Sequence, residues 1–210
     1  MSQPFDIAIT KEALAGMPLA HFHGEVTVVD THEGVEAAIA RLYSQPVVGF
    51  DTETRPTFQK GETHKVALMQ VSGPERCYLF RLNRIGLSDT LLKWLTDTSK
   101  IKVGLSLKDD FHQLRSLRDF DPGGFVELQQ FVRDYHISDS SLQKIYGIIF
   151  GERISKGQRL TNWEATELAP SQQSYAALDA YACLRIYNTL LSGVFNPSES
   201  PYIVNRNEAI

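Results

Sequence analysis

The eight residues Val47-Val48-Gly49-Phe50-Asp51-Thr52-Glu53-Thr54 decide how this chain is read. The first half is an apolar run opened by Pro46, the pattern of a strand buried inside a sheet. The second half sets two carboxylates two residues apart. Side chains alternate along a strand, so Asp51 and Glu53 project from one face while Phe50 and Thr52 project from the other. Adjacent anions at the end of a central strand are costly unless something positive neutralises them, and a divalent cation is the natural neutraliser. The ordinary alternative for such a pair is solvation at a frayed strand end.

Upstream of this strand, VTVVD (26–30) has the character of another strand, and Thr31 is placed to cap a helix in which Val35, Ile39 and Leu42 recur at helical spacing. Residues 1–24 show no sustained periodicity and read as an irregular arm. Downstream, KVALMQVS (65–72) and ERCYLF (75–80) flank the turn dipeptide Gly73-Pro74 and predict an antiparallel hairpin beside the first strand. Strand and helix patterns then alternate: a short helix from Ser88, the strand KIKVGLS, the helical KDDFHQLRSLRD, and the helical stretches ELQQFVRDY and SSLQKIYGIIF. A long helix follows Pro170 and runs from about Ser171 to Leu191. These patterns predict an α/β domain over 25–192 with a mixed sheet, antiparallel first and parallel later, followed by a loose tail over 193–210.

Two further segments carry acids in matching contexts. Asp110 lies on the helical stripe of Leu114 and Leu117 and faces the fold, whereas Asp109 shares a face with Gln113 and Ser116 and faces water. Taken alone, Asp110 is more commonly an N-terminal acid favoured by the helix dipole. Tyr175 and Asp179 are four residues apart in the last helix, so hydroxyl and carboxylate share a face. Tyrosine at that spacing is more often core, but the acids in the other segments give it a second role. Asp51, Glu53, Asp110 and Asp179 with Tyr175 therefore read as one carboxylate site for two divalent metals.

The 210 residues, 42% of them hydrophobic, are enough for one domain with its own core. The 25 acidic residues exceed the 21 basic ones, for a formal charge of −4, so a polyanion is bound only locally or through metal. Cys77 and Cys183 read as buried thiols rather than a disulfide framework. No basic segment with a long apolar run opens the sequence, and no 18-residue apolar stretch occurs, so a soluble, cytoplasmic protein with no membrane partner is expected. Oligomeric state is not addressed by any feature of the chain.

With these residues assembled, the chain resembles the tyrosine-bearing subclass of the DnaQ-like 3′–5′ exonuclease superfamily, over roughly residues 26–192. FDTET matches the first motif, SLKDD followed by FHQL the second, and YAALD the third; KVALMQVS, CYLF, FVEL, TNW and YAALDAYA are most similar to the Werner-type branch. The histidine subclass places its base five residues before the last acid, where this chain has Ser174, with Tyr175 one residue later. Ser106 stands where the family often has asparagine.

The resemblance implies a ribonuclease-H-like sheet and two magnesium or manganese ions, Asp51 bridging both, Glu53 and Asp179 completing one, and Asp110 holding the other largely through water. It implies Tyr175 orienting the attacking water with Glu53. The implied substrate is the single-stranded 3′ end of a nucleic acid, DNA before RNA, released as nucleoside 5′-monophosphates. Thr52 and Ser106 in the motifs, the basic loop Arg153, Lys156 and Arg159, and Phe58 beyond Pro56 are the candidate substrate contacts. A solvated loop and a core phenylalanine are their ordinary alternatives, as packing is for Trp163. His112, His21 and His23 are assigned no catalytic role. A catalytically silent nucleic-acid-binding or protein-interaction module is the alternative function, and the intact acid set weighs against it.

Overall fold

The structure, a computed structural model, describes residues 5–205. In chain order its elements are β1 (Phe5–Ile7), α1 (Lys11–Ala15), β2 (Glu25–Val29), α2 (His32–Leu42), β3 (Val47–Thr54), β4 (Val66–Ser72), β5 (Arg76–Phe80), α3 (Leu82–Ile85), α4 (Asp89–Thr96) and β6 (Ile101–Gly104). They continue with α5 (Leu107–Arg115), β7 (Phe125–Glu127), α6 (Leu128–Phe131), α7 (Leu142–Phe150), α8 (Pro170–Leu191) and β8 (Ile203–Asn205).

Six strands form the central sheet in the order β2-β5-β4-β3-β6-β7. The predicted hairpin is present: β4 pairs antiparallel with both β3 and β5, while β6, β7 and β2 join in parallel. Every residue of β4 is buried, as its unbroken apolar run requires of a strand covered on both faces. One face packs under α2, α3, α4 and α5 through Val35, Ile39, Leu91, Trp94 and Leu114. The other lies under α7 and α8, with Ala176, Ala177 and Ala180 against Leu68 and Leu79. The result is a three-layer α/β architecture.

The stretch ELQQFVRDY is helical as expected: Glu127 ends β7 and caps four residues of α-helix, which pass into a 3₁₀ turn over Val132–Tyr135. One expectation gives way. The arm and the tail are ordered against each other, because β1 pairs antiparallel with β8, Phe5 opposite Asn205. These partners are far apart in sequence, so no local periodicity announces them. The arm also holds the capped turn α1, where Thr10 accepts a bond from the Ala13 amide.

Lys102, fully buried in β6, is satisfied rather than orphaned. Its Nζ donates to the carbonyls of Asp97, Lys100 and Gly123 and lies 5.0 Å from the Trp94 ring centre and 5.2 Å from that of Phe125. Both cysteines are free and buried, as expected. No helix among the described residues is long and apolar enough to cross a membrane.

Candidate metal and active site

The site forms where β3 outruns its neighbour. β6 pairs with β3 only through Gly49 opposite Val103, so the next residues lose a parallel partner and open onto a cleft. Asp51 and Glu53 stay in register with Gln70 and Leu68 of β4 on the other side. Gly49 brings the third acid in: a Cβ there would lie 1.8 Å from the Ala180 carbonyl oxygen, so only glycine lets α8 settle directly on β3. Asp179, one residue before Ala180, is thereby set over Asp51 and Glu53.

The start of α8 is fixed by Gln172. Its Oε1 accepts from the Ala169 amide at 3.0 Å, and its Nε2 donates to Thr161 Oγ1 at 3.0 Å and to the Asn162 carbonyl at 3.3 Å. The loop carrying Arg159 and the buried Trp163 is tied to the helix that carries Tyr175 and Asp179. The Trp163 and Tyr175 rings lie 6.1 Å apart, so Trp163 packs behind the tyrosine, as its ordinary reading had it.

Asp51, Glu53 and Asp179 each place a carboxylate oxygen within 4.8 Å of the other two, and they are the only such group of metal-ligating residues among the described residues. Asp110 stands beside this triad. It is 9% exposed, and one of its oxygens accepts from the Thr52 hydroxyl at 2.5 Å, across the edge of β3. Asp109, on the same turn, is exposed as its face predicts.

The charges bear on one another. Burial, then Asp110, Asp179 and Glu53, hold the Asp51 carboxyl well above the usual range. Burial, followed by Asp179 and Asp110, pushes Glu53 up to about 9, with Arg159 pulling the other way. Burial raises Asp179 to about 7 against the hydrogen bond from Tyr175, and raises Asp110 to about 7 against the bond from Thr52. Burial and the surrounding anions raise the Tyr175 hydroxyl, which donates to Asp179 and stays protonated. Hard oxygen donors that resist ionising together, with no ammonium or guanidinium among the described residues ion-paired to any of them, suit a divalent cation.

Sequence reasoning missed one residue of this constellation. Glu127, at the end of β7, accepts from the amides of Ser106 at 3.0 Å, Leu107 at 2.8 Å and Gln129 at 3.0 Å. It thus caps α5, whose first turn carries Asp110, while Ser106 adopts a left-handed φ of 63° at the helix start. The Ser106 hydroxyl accepts from Gln129 Nε2 at 3.0 Å instead of capping. A lone Glu in a three-residue strand carries no local signal of that role.

A cleft of about 470 Å³ holds Asp51, Thr52, Glu53, Ser106, Tyr175 and Asp179, and Lys156 and Arg159 line its wall. Arg153 does not reach it: its Nε donates to the Met17 carbonyl at 3.1 Å and faces the arm. Phe58 is 78% exposed beyond β3 and is not core. His112, His21 and His23 are exposed and contribute to no metal-ligating group.

A family model described as 3′-5′ exonuclease matches residues 26–194. The mouse protein named bifunctional 3′-5′ exonuclease/ATP-dependent helicase WRN is 30% identical over 91% of this chain, which spans 14% of that protein's length. The crystal structure of the Aedes aegypti Nibbler EXO domain superposes with a TM-score of 0.73 at 22% identity, covering 86% of this chain and 96% of that one. Trypanosoma brucei RNase D in complex with RNA U12 superposes at 0.68 and 22% identity, covering 81% of this chain and 63% of that one. At these identities the two structures share the fold.

Proposed function

This chain belongs to the 3′–5′ exonuclease family, and from that premise we propose that it hydrolyses phosphodiester bonds from the 3′ end of a single-stranded nucleic acid, releasing nucleoside 5′-monophosphates. The observation that carries the reading is the convergence of Asp51, Glu53 and Asp179 within 4.8 Å, with Asp110 beside them. A surface acid pair has no reason to be packed under a helix at this electrostatic cost.

Asp51, Glu53 and Asp179 would hold one divalent cation, and Asp51 with Asp110 a second. Such ions, magnesium or manganese, supply hydroxide near neutral pH and offset charge on the phosphate and the leaving oxygen. The residues then have separate tasks. Thr52 fixes the rotamer of Asp110, and Glu127 fixes the helix turn that presents it. The Tyr175 hydroxyl, kept protonated, orients the attacking water together with Glu53. Lys156 and Arg159 contact the phosphates on either side of the scissile bond, and exposed Phe58 stacks on a base, a contact that tolerates sequence. DNA is favoured over RNA on the resemblance of the motifs to the Werner-type branch.

The test is incubation of purified protein with matched 3′-labelled and 5′-labelled DNA and RNA strands, with magnesium, manganese or chelator. A ladder shortening from the 3′ end, present with metal and absent with chelator, is expected. Asp51→Asn is expected to lower the rate by at least about a thousandfold, a loss of several kcal/mol of transition-state stabilisation. Undiminished hydrolysis by that variant would remove the assignment.

A further inference from the structure

Three hollows differ in charge, and two of them share lining residues with the candidate active site. One lies beyond Tyr175 and is lined by His21, Ser155, Gln158 and Ser174 with no lysine or arginine. A second, by the start of β2, carries Glu25, Glu75 and Glu152 against Arg185, whose guanidinium is already paired with Glu152. The third, of about 380 Å³, carries Lys11, Lys144, Arg153 and Lys156 and no carboxylate in its lining. It shares Ser141, Gln143, Ile154 and Lys156 with the catalytic cleft, so the two hollows meet along one wall.

The arm builds this third hollow. Arg153 donates from Nε to Met17 and from its amide to the Pro18 carbonyl at 2.9 Å, while the Ala20 amide bonds to the Arg153 carbonyl at 2.9 Å. Asp139 accepts from the Ile9 amide at 2.9 Å and pairs with Lys144 at 2.6 Å, fixing the chain just before α1. α1 then forms the outer wall, with Lys11 exposed at its first position. Asp139 offsets Lys144, but Lys11, Arg153 and Lys156 have no carboxylate partner among the described residues. A local cluster of free cations in a chain of net charge −4 is where a polyanion gathers.

We infer that this hollow is a second binding site, a phosphate track that takes the strand upstream of the bond being cut, with Lys11 of the arm contacting its backbone. The inference rests on the proposed reading of the neighbouring cleft as the place of the 3′ terminus. From there the strand leaves past Ser141 and Lys156 towards Lys11, because the other hollow adjoining the cleft, beyond Tyr175, offers no lysine or arginine. The track carries no aromatic ring, so it grips phosphate without regard to base.

The test measures anisotropy of 5′-labelled single strands in calcium, comparing a dinucleotide with a strand of about twelve nucleotides, within the length such grooves hold. The longer strand is expected to bind more tightly to the unaltered protein. Lys11→Glu is expected to weaken it about tenfold at low salt and to reduce the slope of log affinity against log salt by about 0.7, the value for one phosphate contact on a single strand. The dinucleotide is expected to be held as before, and Lys11→Arg to restore the longer strand. Equal affinity of both strands for the unaltered protein, an unchanged slope in Lys11→Glu, or equal weakening of both ligands would each overturn the track. Should the protein bind in this length-dependent way yet cleave nothing with magnesium or manganese, the exonuclease reading falls and the track stands.

Discussion

At the scale of single residues, the acids and Tyr175 make opposite demands on the protein. Carboxyls held near 7 and 9 keep protons that the unfolded chain, with ordinary values of about 4, has lost. Protons bound in excess by the folded state mean that stability is full below about pH 4 for these groups and falls as pH rises towards about 9. The thermal midpoint of chelator-treated protein is therefore expected to drop over that interval by more than that of Asp51→Asn, read by scanning calorimetry. Magnesium is expected to stabilise most at the alkaline end, where the site binds it without displacing protons. Tyr175→Phe keeps the ring against Trp163 and removes only the hydroxyl, so turnover is expected to fall about a hundredfold with metal affinity held. Calorimetric titration of metal beside the kinetics separates the two, and parallel losses would deny Tyr175 its task with water.

Among the elements, the contact of α8 on β3 sets the geometry. Gly49→Ala would drive a methyl into the Ala180 carbonyl and lift the helix that bears Asp179. Destabilisation of about 3 kcal/mol is expected from denaturant unfolding, with hydrolysis impaired even where the variant remains folded. This geometry was partly legible beforehand. β3, the β4–β5 hairpin and α8 were readable because each is long, apolar in pattern and bounded by Pro or Gly. Strand alternation set Asp51 and Glu53 on one face and helix faces turned Asp110 inward and set Asp179 beside Tyr175, while only their joint occurrence pointed to one site. Glu127 was read only as the start of a helix; its bonds to the first amides of α5 were not legible, because β7 has three residues and those amides lie well upstream. That Arg153 lies outside the lining of the cleft was hidden for a related reason: its partner is a backbone carbonyl at Met17, and a sequence shows no backbone partner across such a separation.

For the molecule as a whole, core and site share one helix. α8 supplies Ala176 and Ala180 to one apolar cluster and Ala182, Cys183 and Ile186 to another, while holding Tyr175 and Asp179 at the cleft. Local opening that loosens the acid cluster must therefore break core packing, and amide exchange along Ala176–Ile186 is expected to be as slow as global unfolding allows. The pairing of β1 with β8 has a separate consequence. With Phe5 across from Asn205, the polypeptide enters and leaves the fold side by side. A short flexible linker would close it into a ring, and new ends cut at the exposed turn around Gly61 would give a circular permutant that keeps its native melting behaviour.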